Sequence, residues 1–299
     1  TLPKGTTTDR NRTGGRGLFG GGNTPGTTNT IDFVTIATMG NAQDFGDLTS
    51  ARQASGLGSA TRGVFGGTGH PNGNIMDFVT FATTSNAVDF GDLQSSLNGK
   101  ASAANSTRGI FSGGGTPTPS NEIDFITIAT LGNATDFGNL TVARRNHAGV
   151  ASPTRAVFAG GDAAPTTDTI DYITIATTGN AIDFGNLSAA RETAGGASST
   201  TRGVFMGGYT SPGDVDVIEY ITISTIGNAT DFGNLSAARR NGCGVSNNIR
   251  GLYAGGFPAV NTIEFVTIAS TGDSTDFGDL LTGRLIATNG ASDSHGGLS

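Results

Sequence analysis

The apolar residues of this chain fall in short clusters bounded by glycine, asparagine and threonine, and no segment carries the 3.6-residue apolar period of an amphipathic helix. From Ile170 the pattern reads IDYITIATTGNAIDFGNL, and close variants begin at Ile31, Ile123, Ile218 and Ile263, with a looser one at Ile75. Each copy parses into four short strands. In the fourth copy these are AVFAGG (156–161), IDYITIAT (170–177), AIDFGNL (181–187) and the small-residue stretch TAGGASS (193–199). The Ile-rich strand is apolar on both faces, with Ile123, Phe125 and Ala129 against Ile126 and Ile128 in the third copy. A strand covered on both sides requires that, whereas a one-faced sheet alternates.

Two markers fix the period. Arg-Gly/Ala-aliphatic-aromatic occurs at Arg16, Arg62, Arg108, Arg155, Arg202 and Arg250, at spacings of 46, 46, 47, 47 and 48. Asp-Phe-Gly has its Asp at 44, 89, 136, 183, 231 and 276, at spacings of 45, 47, 47, 48 and 45. Six copies of four strands, at a period in the 40–50 range, predict an all-β fold, a six-bladed β-propeller. The small-residue strands, beginning near 53, 99, 146, 193, 241 and 285, suit the crowded axis where blades converge. The last of them, 285–292, has no blade of its own after it and is expected to complete the first blade, removing an open edge. The predicted layout is a lead-in (1–15), the propeller (16–292) and a C-terminal tail (293–299).

Composition narrows the function. Charged residues are 14% of the chain, hydrophobic residues 35%, and glycine numbers 49, more than twice the roughly 7% of average usage. A net charge of −7 argues against a nucleic-acid partner, which needs clustered Lys and Arg. The one cysteine, Cys243, excludes an internal disulfide and a Cys-based zinc site. No apolar run approaches the roughly 18 residues of a membrane helix, so no membrane insertion is expected. The chain opens at Thr1 without Met, which leaves open a processed chain or a piece of a longer polypeptide.

The order of features in each copy resembles the kelch repeat. Gly160-Gly161 matches its glycine doublet, Tyr172 its downstream aromatic, Phe184 the position usually held by Trp, and Arg191 the Arg beyond the fourth strand. The resemblance spans residues 16–292, although the chain has no Trp and Leu97 stands where the second copy should have its Arg. The wording IDYITIATTGNAxDFGNL is similar, more narrowly, to repeated segments in structural proteins of tailed cyanobacterial phages. That resemblance implies a virion protein on head or tail, partnered by other virion proteins or by a host-surface receptor or glycan.

Candidate chemistry is sparse. Asp-Phe-Gly appears six times without a glycine-rich loop and partner Lys, so it does not read as a kinase magnesium site. Its aromatics Phe45, Phe90, Phe137, Phe184, Phe232 and Phe277 are expected to pack between blades, with the Asp ordering the turn after Gly-Asn. The glycine doublets lack a following Lys-Ser/Thr and read as strand ends rather than phosphate loops. His70, His147 and His295 share no metal spacing, and no cofactor is implied. Asp44 and Asp47, echoed by Asp89/Asp92 and Asp276/Asp279, offer carboxylates for calcium but match no calcium-loop spacing. The triplets Asn133-Ala-Thr135 and Asn228-Ala-Thr230 formally allow glycosylation, but lie inside the repeat and read as turn chemistry.

Two further features bear on structure and binding. The six Arg of the first marker form a ring on one face, with a structural role, and are expected to pair with acids such as Asp32, Asp77 and Asp124. The loop after each glycine doublet differs from copy to copy while its surroundings repeat, and variable loops on a rigid scaffold are where binding specificity usually sits. That loop shares a face with the Arg-bearing link after Leu187. The binding candidates are therefore His70, Asn72, Asp162, Tyr209, Asp214 and Phe257.

The first functional reading is a non-enzymatic structural or adhesive propeller of a phage particle. The alternatives are a cellular kelch-type interaction module, cytoplasmic or extracellular, and a glycan-active enzyme needing convergent carboxylates or a metal near the channel.

Overall fold

A computed structural model describes residues 15–67, 73–286 and 289–298. Six antiparallel sheets of four strands follow one another along the chain, and their innermost strands neighbour each other in a closed ring. This is a six-bladed β-propeller. The fourth blade runs outward from the axis as Ala148–Ala151, Arg155–Ala159, Thr169–Thr174 and Ile182–Asn186, close to the strands expected from sequence. No described helix is long and apolar enough to cross a membrane.

The first blade takes its inner strand from the other end of the chain. Ala291–Ser292 pairs with Leu18 and Gly17 of Arg16–Thr24, which continues to Gly26–Thr35 and Gln43–Asp47. This closing strand is shorter than the predicted 285–292, and Leu285 instead bridges to Asn23. At the axis the lack of side chains is a steric requirement. A Cβ on Gly149 would lie 2.2 Å from the carbonyl oxygen of Ser102, and one on Gly244 would lie 2.1 Å from that of Gly196.

The Asp-Phe-Gly motif is the joint between blades. In blade 4, Gly185 pairs with Ile170 and Asp183 with Asp171, so Phe184 is the extra residue of a β-bulge. Its ring turns inward, edge-on to Tyr172 at 5.9 Å, and lies in a core built from residues of blades 4 and 5. The bulge recurs in all six blades. The bulge glycine then lets the following blade's turn dock. Gly227 N–H donates to the Phe184 carbonyl and Ala229 N–H to that of Asn186. The Asn of Gly-Asn-Ala locks this joint, its Oδ1 accepting from the preceding blade's backbone: Asn228 from Asn186, Asn180 from Asn139, Asn133 from Asp92. The turn is thus ordered by its asparagine, and not, as expected, by the motif's aspartate, which lies exposed on the outer strand.

Blade 3 contains its own control. Gly138 and Gly132 have nearly the same φ, +145° and +147°, but a Cβ on Gly138 would sit 2.4 Å from the Gly179 carbonyl while one on Gly132 meets nothing within 4 Å. Gly132→Ala is expected to cost about 1–3 kcal/mol of backbone strain at φ +147°. Gly138→Ala should add about 1–3 kcal/mol of overpacking, because the blade 4 turn must move. Denaturant midpoints of the two variants measure the interblade share as their difference.

The ring of arginines differs from expectation. Arg16, Arg62, Arg108, Arg155, Arg202 and Arg250 do not reach Asp32, Asp77 or Asp124. Each guanidinium lies over an aromatic ring of its own blade, at 4.5 Å for Arg155 on Tyr172, and donates to a carbonyl of the next blade, at 3.0 Å from Arg155 to Ile223. The acids sit deeper. They belong to a second ring: Arg52–Asp77, Lys100–Asp124, Arg144–Asp171, Arg191–Glu219, Arg239–Glu264 and Arg284–Asp32, at 2.7–3.4 Å. Each cation comes from the link leaving one blade, and each acid from the third strand of the next. All twelve side chains are at most 4% exposed.

Where Leu97 replaces the expected Arg, Lys100 supplies the charge from three residues further on, and it serves both Asp124 and Glu122. One ammonium between two carboxylates is a poorer match than a forked guanidinium. Asp124 Oδ1 is left without a hydrogen-bond partner, and burial pushes the Asp124 carboxyl up to about 6 against the pull of Lys100.

Candidate functional site

The central channel is the first place to look in a propeller, and here the chain's own C-terminus fills it. Asn289 reaches across the axis: its Nδ2 donates to the Gly149 carbonyl at 2.8 Å, its Oδ1 accepts from Gly149 N–H, and its own carbonyl accepts from Gly56 N–H. Gly290 N–H donates to Gly244, so blades 2, 4 and 6 are tied together through two residues. Residues 293–298, predicted as a tail, close the channel at the end where the first strand of each blade turns back. His295 Nε2 donates to the Gly58 carbonyl at 2.8 Å, its Nδ1 accepts from Gly297 N–H, and Gly296 N–H donates to Ser198. Burial holds the His295 imidazole below its ordinary value, as befits a neutral ring that donates through one nitrogen and accepts through the other.

What remains open is about 40 Å³, lined by residues such as Gly56, Ser102, Gly149, Ser198 and Ser246, with no carboxylate among them. That is room for about three water molecules, at roughly 10–15 Å³ each. Among the described residues, no group of three or more His, Cys, Asp or Glu is placed to hold a metal. His147 is enclosed, its Nε2 2.9 Å from Ser112 Oγ, and burial lowers its pKa well below the ordinary histidine value.

The opposite face carries the variable loops, and three of the six binding candidates meet there. In blade 5 the loop folds into a small hairpin, Tyr209–Thr210 against Gly213–Asp214. In blade 6 the loop starts at Phe257, bridged by its backbone to Arg240 in the link between these blades. The Arg240 guanidinium contacts two rings, its Cζ 4.8 Å from the Tyr209 ring centroid and 4.5 Å from that of Phe257. Asp214 clamps its Nη1 at 2.9 Å.

Asp162 lies elsewhere on this face, paired with Arg145 at 2.9 Å across the blade 3 to blade 4 link. His70 and Asn72 fall outside the described residues. Sequence reasoning missed Arg240. A signal was present, since Arg239-Arg240 and Arg144-Arg145 are doublets: the first member of each enters the buried ring and the second turns to the loop face.

These features define the class: a six-bladed propeller with a self-filled channel and a loop face bearing a fixed arginine in contact with two aromatic rings. No protein-family model matches the chain, and no curated protein matches it significantly.

Proposed function

We propose that the protein is a non-enzymatic binding propeller of a phage particle, whose variable-loop face engages a host surface or a neighbouring virion protein. The observation that carries the binding role is the contrast between the faces. Interblade joints, buried ion pairs and glycine contacts recur from blade to blade, while the variable loops differ from copy to copy and gather Tyr209, Asp214, Arg240 and Phe257 into one cluster. A filled channel without carboxylates weighs against a substrate site at the axis. The virion assignment is supported by the similarity of the eighteen-residue run to repeated segments of tailed-phage structural proteins.

Cryo-electron microscopy of the material from which the chain is obtained tests the assignment. The expected result is disc-shaped density at defined positions on a head or tail, with the loop face outward or against another subunit. A disc found only as a free soluble molecule would overturn it.

A further inference from the structure

We propose that the Arg240 cluster is a carbohydrate site that takes the pyranose ring of a neutral saccharide; this rests on the reading of the loop face as the recognition face. A pyranose has two chemically distinct parts, a face of C–H groups and an edge of hydroxyls that both donate and accept. The cluster offers a partner for each. Phe257 is 43% exposed and is the one aromatic among the exposed large hydrophobic side chains of the described residues. An open aromatic ring beside convergent polar groups is the usual composition of a small-ligand site. Next to it, Arg240 and Asp214 supply donors and acceptors, and both remain open to solvent at 31% and 19% side-chain exposure.

The electrostatics select the ligand. Asp214 neutralises Arg240, so the site has no surplus positive charge to hold a sulfate, phosphate or carboxylate. The chain as a whole, at −7, repels polyanions as well. A neutral hydroxylated ligand meets neither penalty. Preorganisation lowers the cost of binding. The guanidinium is held by contacts with two rings and by a carboxylate, so little side-chain freedom is left to lose when a ligand docks.

The molecule carries its own comparison. Arg145 and Asp162 form the same pair, also at 2.9 Å, on the same face, but no aromatic ring stacks on Arg145 among the described residues. It has the hydroxyl-binding edge without the platform and is not assigned a ligand.

The test uses the full chain on an array of neutral and acidic oligosaccharides, followed by saturation-transfer NMR with methyl hexopyranosides. The expected result is binding to neutral pyranosides that weakens at least tenfold in Phe257→Ala and Phe257→Leu, with melting temperatures changed little because the ring lies outside the buried cores at 43% exposure. Asp162→Ala should bind as the wild type does. Equal binding by the Phe257 variants, binding confined to acidic glycans, or no glycan binding at all each overturns the carbohydrate assignment. Because placement on a particle is read separately by microscopy, a disc on the virion that ignores sugars would sink this inference alone.

Discussion

Replacing Arg144 by Met is expected to remove about 3–5 kcal/mol of unfolding free energy, the cost typical of leaving one member of a buried ion pair without its partner. Asp171 is fully buried, and Arg144 Nη2 lies 3.0 Å from its Oδ2 while also donating to the Phe158 carbonyl. In the variant, Asp171 keeps only the hydrogen bonds from Thr141, too few to solvate a carboxylate out of water. Burial draws the Arg144 pKa below its ordinary value and Asp171 opposes that shift, so each charge depends on the other. Adding Asp171→Asn should restore a large part of the loss, since the neutral amide needs no counter-charge. Arg155→Met is the contrast. That residue gives up a ring contact at 4.5 Å and a carbonyl hydrogen bond near solvent, a loss of about 1 kcal/mol. Chemical denaturation of the four proteins measures all three differences. Equal losses for Arg144→Met and Arg155→Met would mean that the buried ring does not hold the blades together.

The same pair of arginine rings shows how far the sequence could be read. Blade number, strand order and closure follow from spacing, because a period of about 47 residues and four strand-like segments leave little else to build. Which arginine meets which acid does not follow. In a sixfold repeat every copy of one motif lies at the same set of separations from every copy of another, so spacing cannot tell Arg16–Asp32 from Arg284–Asp32. Depth decides it. Asp32 accepts from the inward link residue Arg284, while Arg16 is spent on Phe33 and a neighbouring carbonyl. Lys100 was hidden for a related reason: alignment placed Leu97 at the expected site, and only the path of the link brings a cation three residues later to the same acid.

The loop cluster was half legible. Tyr209, Asp214 and Phe257 stood out as residues the repeat does not dictate, and three-dimensional folding added the Arg240 that joins them. The C-terminal segment was least legible. Residues 293–298 have no counterpart in any repeat, and a short run of Asp, Ser, His and Gly resembles a tail unless the channel it fills is known.

That segment carries the second large effect. Deleting 293–299 leaves the closing strand in place, so a plain view of propeller closure predicts little change. The structure predicts otherwise. The deletion removes the paired bonds between Arg16 and Asp293, the His295 bond to Gly58 and the Gly296 bond to Ser198. It also uncovers backbone at the ends of several inner strands. A Cβ on Gly297 would lie 1.8 Å from the Ala104 carbonyl, which shows how tightly the segment seats. At about 1 kcal/mol net per hydrogen bond, the loss is about 4 kcal/mol. For a chain of 299 residues that corresponds to a melting point lower by about 6 °C. Deletion from residue 289 should cost considerably more, since Asn289 ties blades 2 and 4 together at the axis and Ala291–Ser292 completes the first sheet. Thermal unfolding of the two truncations separates the roles. A large loss only in the longer deletion would assign all the stability to strand closure and none to the plug. The stepwise loss predicted here would make residues 293–298 an integral part of the disc, filling the space that six strands of small residues cannot fill themselves.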